Sequence, residues 1–297
     1  MRYVFIVNPF AGSGDSEALI REAVNSSKHT DECEIYLTKA PEDATKFVRE
    51  YPTDEETRFI ACGGDGTINE VFNGAVGKPN TSVSCYPCGS GNDFVKVFGA
   101  DKFKDIEAIM EAPAKPIDLI KVGDRYSNNV TNFGFDTTVA ITINKEREKT
   151  GHGNKSAYTK GIVTALIKSM KNKVTVTADG EVLNPSGKAL LCTVANGQYV
   201  GGSFKCAPRA EVDDGWLEVC LIKPISRLRF VRILGPYTEG KHLDDEKMKD
   251  IIVYRRAKKV EVKGEPGFAY SLDGEIIYQD NFTLEVAEKA INFAVPG

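Results

Sequence analysis

Between residues 57 and 75 a short apolar run gives way, through glycine, to a helical repeat. Thr57, Arg58, Phe59, Ile60, Ala61 and Cys62 read as a strand, and Ile68, Val71, Phe72 and Ala75 recur at helical spacing. Gly63, Gly64 and Gly66 occupy the turn, with Asp65 among them. Glycine is entropically expensive there unless backbone must come close to something. The arrangement recurs in NPFAGSG after RYVFIV and in PCGSGND after SVSCY. Around these loops the first 120 residues alternate strand and helix patterns: RYVFIVNP, a helix carrying Leu19, Ile20, Ala23 and Val24, CEIYLT, a helix from Pro41 to about Glu50, TRFIAC, and helices through Val95 and through Ile106 and Met110. Such alternation predicts an α/β, Rossmann-like domain with a parallel sheet, in which ligands gather at the carboxyl ends of the strands.

After about Asp118 the pattern changes to short strands separated by Gly, Asn and Asp turns: KVGDRYSNNVTNFGF, KVTVTADGEVLN, ALLCTVANGQYV, GWLEVCLIK, AKKVEVKGE, FAYSLDGEIIY and NFTLEVA. The expectation is an antiparallel β-sandwich-like domain over residues 121–287, with helical inserts near Tyr158–Met170 and Ser226–Leu234. The first domain then covers residues 1–120, and residues 288–297 are free to return to it. With 297 residues there is room for two cores. A net charge of -4 and a pI near 5.6 argue against a nucleic-acid binder. No stretch nears the roughly 20 apolar residues that span a bilayer, and MRYVFIVNPF lacks the features of a secretory signal, so a cytosolic location is expected. Seven scattered cysteines fit reduced core thiols; the CYPC pair, Cys85 and Cys88, has no second pair with which to build a zinc site.

An anionic ligand explains the glycines economically. Without Cβ atoms, backbone N–H groups can turn toward phosphate oxygens, and the following helix adds the positive end of its dipole. The P-loop and dinucleotide fingerprints are absent. Asp65 is out of place in a plain phosphate cradle. It either holds Mg2+ against a nucleotide, serves as base toward an incoming hydroxyl, or caps the next helix.

These motifs resemble the diacylglycerol kinase catalytic-domain family, which includes soluble bacterial diacylglycerol and lipid kinases and sphingosine kinases. The resemblance runs nearly end to end: NPFAG, GGDGT with Asn69, Glu70, Asn73 and Gly74 behind it, Pro87 with GSGND, Asn132 and Gly134 in NFGFD, VDDGWLEV, and LDGE at 272–275. GGDGT alone also suits NAD kinases and phosphofructokinases; the GSGND loop narrows the likeness to lipid kinases. The resemblance implies an ATP- and Mg2+-dependent lipid kinase with its active site in a cleft between the domains. Asn8, Pro9, Phe10, Ala11, Gly12, Thr38, Gly64, Asp65, Gly66, Thr67, Ile68, Asn69, Glu70 and Ser90 would contact ATP. Asp65, Asp93 and Asp118 would form a water-bridged Mg2+ network, although Asp118 reads equally well as a strand-edge carboxylate. Many relatives place a basic residue in the first loop, where this chain has Gly14, Asp15 and Ser16, so phosphate neutralisation would fall to Arg21 or Lys39.

In LDGE, Asp273 and Gly274 read as a tight hairpin turn. The resemblance assigns Glu275 as general base, taking the proton of the lipid hydroxyl, and leaves Asp65 to the metal or to positioning. It also implies a structural Mg2+ held by Asp214 and by backbone carbonyls of Glu211 and Trp216, where a plain β-turn is the other reading. The lipid partner would be met at a membrane surface, peripherally on the inner face, through Arg227, Arg229 and Arg232 or through Arg255, Arg256, Lys258 and Lys259, unless these are ordinary solvated charges. The expected reaction is diacylglycerol to phosphatidic acid. An NAD kinase-like enzyme and a non-catalytic nucleotide or lipid regulator remain as alternatives, and a homodimer stays open.

Overall fold

In the first unit, strands of continuous apolar sequence are buried on both faces, as a helix-covered parallel sheet requires. The computed structural model describes residues 1–12, 15–150 and 155–297, without the side chains of 147–150 and 155–157. Ser13 and Gly14 of the first loop therefore lie outside the described residues. The chain divides into one unit of Met1–Leu119, Val212–Gly215 and Ala287–Gly297, and another of Ile120–Glu211 and Trp216–Val286. Residues 212–215 thus belong to the first unit, although they lie within the 121–287 stretch expected to form the second domain.

The first unit contains β1 (Arg2–Val7), α1 (Ser16–Ser26), β2 (Cys33–Leu37), α2 (Asp43–Glu50), β3 (Thr57–Gly63), α3 (Asp65–Ala75), β4 (Thr81–Pro87), α4 (Ile106–Glu111) and most of β5 (Ala114–Val122). The strands lie in the order β2-β1-β3-β4, all parallel. Register places Val7 beside both Leu37 and Cys62, and Gly63 beside Pro87. The loops after all four strands consequently leave from one edge. Residues 287–297 return to this sheet, with Phe293 paired to Val83 in parallel and Ser84 donating its hydroxyl to the Ala294 carbonyl at 2.8 Å. Phe293 packs against Phe72, Phe94, Phe98 and Phe103.

The second unit runs through β6 (Arg125–Ser127), β7 (Val130–Gly134), α5 (Phe135–Thr150), α6 (Lys155–Lys168), β8 (Asn172–Ala178), β9 (Glu181–Val182), β10 (Lys188–Ala189), β11 (Leu191–Ala195), β12 (Leu217–Ile222), α7 (Arg227–Thr238), β13 (Ile252–Ala257), β14 (Lys259–Gly264), β15 (Ala269–Leu272), β16 (Glu275–Tyr278) and the start of β17 (Asn281–Ala294). One antiparallel sheet has the order β13-β12-β11-β7-β15-β16; β10, β8, β14 and β17 form the other. Val176, Val260 and Leu284 meet Phe133, Val194, Val219 and Tyr270 in the core between them. The six-stranded sheet buries its other face too, where Val130, Leu191, Ala195 and Ile222 pack with Phe135, Ala165, Phe230 and Ile233 from the helices. The mixed α/β class with a C-terminal antiparallel sandwich is thus the observed one. Helix α5 was not foreseen. Its sequence, FDTTVAITIN, is rich in β-branched residues that disfavour helix, and packing overrides that preference.

Candidate active site

The loops at the carboxyl edge of the parallel sheet are glycine-rich because they lie against one another. A Cβ on Gly89 would sit 2.5 Å from the Gly64 Cα, and one on Gly12, whose φ is +65°, would sit 2.6 Å from the Cys88 carbonyl oxygen. Gly91 leaves no room for a Cβ beside Asp65 Oδ2, at 2.7 Å. A Cβ on Gly66 would meet nothing within 4 Å, so that position opens outward at the N-terminus of α3. First-turn N–H groups have no acceptor within their own helix and carry the positive end of its dipole. The combination of close loops and a glycine-lined helix start is a cradle for phosphate.

Side chains brace this cradle. Asn8 Nδ2 donates to Thr67 Oγ1 at 3.3 Å, and the Phe10 N–H donates to Asn8 Oδ1 at 3.0 Å. Asn92 closes its own loop by donating to the Gly89 carbonyl at 2.8 Å and accepting the Gly89 N–H at 3.1 Å. Pro9, Ala11, Thr38 and Asn69 are half-buried, and Phe10, Gly12 and Ser90 are exposed. Two residues assigned to the nucleotide are otherwise engaged. Ile68 lies wholly in the core with its N–H bonded to the Gly64 carbonyl, so its side chain cannot reach a ligand. Glu70 accepts the Ala44 N–H at 3.2 Å at the start of α2.

Asp65 is a partly shielded carboxylate. Half-buried in the first turn of α3, it accepts the Asp93 N–H at 2.6 Å. Burial raises its pKa and the neighbouring Asp93 carboxylate raises it further, against the pull of N–H groups from Asp93, Phe94 and Asn92. Asp93 is itself buried and pairs with Lys96 Nζ at 2.6 Å. Two carboxylates that repel each other beside a phosphate cradle form a donor set suited to Mg2+. Asp118 has a different occupation. Its buried carboxylate accepts N–H groups from Gly215 at 2.6 Å and from Lys289 at 2.7 Å, tying together three distant segments of the first unit. Of the proposed neutralising cations, Arg21 is paired with Glu17 at 2.8 Å and Lys39 is exposed. Among the described residues, the ligand-type atoms crowded within 4.8 Å of one another belong to His29, Glu107 and Glu111, where the Lys28 ammonium already pairs with Glu111. Burial raises the thiol pKa of both Cys85 and Cys88, which are free.

In the second unit Asp273 and Gly274 both have positive φ, 47° and 94°, and join β15 to β16 in a two-residue turn. The Asp273 carboxylate accepts the Ser127 hydroxyl and the N–H groups of Asn128, Asn129 and Val130 at 2.8 to 3.2 Å. Glu275 follows, exposed, in a forked pair with Arg125. In the turn before β12, Glu211 is exposed, and Asp214 and Trp216 are half-buried. The Arg256 guanidinium and Lys258 ammonium lie 5.6 and 5.1 Å from the Trp216 ring centre. The second basic cluster is largely occupied: Arg255 pairs with Glu181, Arg256 with Glu218, and Lys259 with Glu261.

Sequence reasoning missed a cavity of about 210 Å³ enclosed by α5, α6, α7 and the six-stranded sheet, with Val139, Ile143, Ile162, Phe230 and Ile233 in its wall. Gly274, next to Glu275, lines it as well. Asp136 projects a solvent-shielded Oδ2 with no hydrogen-bond partner into this apolar surround, which pushes its pKa up to about 6. A lone carboxylate after FGF, opening the apolar segment TTVAITI, was the available signal.

The two halves match separate family models. The model of the diacylglycerol kinase catalytic domain covers residues 2–122, and that of the YegS C-terminal NAD kinase beta sandwich-like domain covers 129–295. The chain belongs to the diacylglycerol kinase family of lipid kinases. It is 30% identical over 249 residues to a diacylglycerol kinase of Bacillus subtilis, covering 82% of this chain and 79% of that one. It is 26% identical to the Probable lipid kinase YegS-like of Chromohalobacter salexigens, over 93% and 88% of the two chains. A solved structure of a candidate diacylglycerol kinase from Bacillus anthracis superposes with a TM-score of 0.77 at 26% identity, covering 99% of this chain and 95% of the other. The first half thus matches a diacylglycerol kinase model, and the model that matches the second half is named for a lipid kinase and for a sandwich like that of NAD kinases.

Proposed function

We propose that this lipid kinase transfers the γ-phosphate of ATP to a lipid hydroxyl, converting diacylglycerol to phosphatidic acid with Mg2+. The observation that carries the reading is the apolar cavity with one unpartnered carboxylate, in a chain whose other unit presents a phosphate cradle. Hydrocarbon favours the cavity by burial.

In this reading the α3 N-terminus and the glycine loops bind the phosphates, braced by Asn8 and Thr67. Asp65 and Asp93 are the side chains that would hold Mg2+, which when bound supplies charge neutralisation to the transferring group. Asp214, with carbonyls of Glu211 and Trp216, is a second candidate set of hard oxygen ligands. The hydroxyl oxygen forms its bond to the γ-phosphorus as the bond to the ADP oxygen breaks, and the proton goes to Glu275. Arg125 holds that carboxylate in one orientation, and a Glu275 oxygen lone pair that the guanidinium does not occupy takes the proton.

Incubation with labelled ATP, Mg2+ and a bacterial lipid extract is expected to label phosphatidic acid. Labelling of a small water-soluble molecule and of no lipid would refute the reading. Glu275→Gln should lower kcat by roughly a hundredfold or more with little change in ATP affinity. An unchanged kcat would hand proton acceptance to Asp65.

A further inference from the structure

Away from the glycine loops, the turn between α1 and β2 brings His29 against α4, near the amino ends of the parallel strands, where Tyr3 of β1 pairs with Cys33 of β2. Glu107 and Glu111 stand four residues apart on α4 and so share a face. One ligand-type atom from each of His29, Glu107 and Glu111 lies within 4.8 Å of the others.

The imidazole is held from two sides. The Tyr3 ring packs on it with centroids 5.3 Å apart, and Glu32 Oε2 lies 3.0 Å from Nδ1. A carboxylate only accepts, so that contact puts the ring proton of a neutral His29 on Nδ1 and leaves a lone pair on Nε2. Nε2 in turn lies 3.5 Å from Glu111 Oε1. Two acceptors facing each other at that distance need a positive charge between them. Histidines that ligate metals are oriented in the same way, with a carboxylate on the other ring nitrogen.

Glu107 supplies a second observation. Its Oε1 accepts the Lys28 N–H at 3.0 Å, whereas Oε2 is shielded from solvent and has no hydrogen-bond partner. A shielded anionic oxygen without a donor is costly, and a cation removes that cost. Lys28 meets the need only in part: its ammonium pairs with Glu111 and lowers the pKa of that carboxylate, but it leaves Glu107 Oε2 unpaired, and its side chain is 62% exposed. The 3.5 Å between Nε2 and Oε1 matches two ligands placed about 2.1 Å from a tetrahedral ion, which stand about 3.4 Å apart. One imidazole and two carboxylates suit Zn2+ better than Mg2+, which favours oxygen ligands in an octahedron.

We propose that His29, Glu107 and Glu111 form a Zn2+ site, with Glu32 orienting the imidazole and Lys28 as the cation that the metal displaces. The ion would clip the turn after α1 to α4 within the first unit, and the proposal does not rest on the kinase reading. The test is calorimetric titration of the untagged full chain, stripped with a chelator, with ZnCl2. The protein is expected to bind about one ion per chain at this site and to keep it in excess Mg2+. His29→Gln and Glu107→Gln should each weaken binding by about tenfold or more, and Glu32→Gln by about tenfold. Lys28→Gln should tighten binding by about fivefold, because a competing charge is gone, and a misfolded chain could not give that gain. Zn2+ should also raise the melting temperature of the parent and of Lys28→Gln but not that of His29→Gln.

Binding at parental strength in both His29→Gln and Glu107→Gln would assign the ion to other groups, such as the free cysteines, and overturn the proposal. So would a parent that binds no Zn2+, or a Lys28→Gln variant that binds it no more tightly, either of which would leave a plain ion-pair network around Glu111.

Discussion

Asp136 stands in an apolar cavity, where ionisation is costly. Its carboxyl is pushed from 3.8 up to about 6 by burial, so the folded protein holds that proton more tightly than the unfolded chain. The stabilising contribution is therefore full below about pH 4 and is lost as pH rises through 6, when an ionised carboxylate stands in an apolar cavity. Asp136→Asn is expected to raise thermal stability at about pH 7.5, by at most about 3 kcal/mol, with the advantage vanishing toward pH 4. Melting curves at the two pH values check this; an equal gain at both would deny that ionisation is the cause. Asp65 was legible from sequence because a carboxylate is chemically odd in a glycine loop suited to an anion. Its role as an acceptor for the GSGND loop was not, since the two residues lie 28 positions apart and only the fold brings them together.

At the scale of elements, the glycine loops separate steric from ligand-directed effects. Gly89→Ala should destabilise the protein by about 1–3 kcal/mol and weaken nucleotide binding, because its Cβ would enter the Gly64 backbone. Gly66→Ala meets no protein atom, so its expected signature is weaker nucleotide binding at unchanged melting temperature. Calorimetric titration with ATP and thermal melts distinguish the two, and a destabilised Gly66→Ala would refute the assignment of that space to ligand. The parallel strands could be read from sequence since burial on both faces leaves unbroken apolar runs such as VFIV. Helix α5 could not, because its Thr, Val and Ile residues carry a strand-like local preference and become helical only over the sheet and beside α6 and α7. The cavity was equally hidden, being a property of how three helices meet rather than of any one segment.

At the scale of the molecule, the first unit is assembled from three separated stretches of chain, and Asp118 bonds to backbone in the other two. Asp118→Ala would strand two N–H groups and is expected to cost roughly 2–5 kcal/mol, with Asp118→Asn in between. Urea unfolding measures the loss, and faster proteolysis near residues 287–297 would locate it; a variant as stable as the parent removes the staple. The order of synthesis adds a constraint. The parallel sheet gains its neighbour to β4, and the aromatic cluster its Phe293, from residues that leave the ribosome only after the whole second unit. A unit that begins folding first can finish only last, so a nascent chain cut short anywhere in the second unit would leave the first one incomplete.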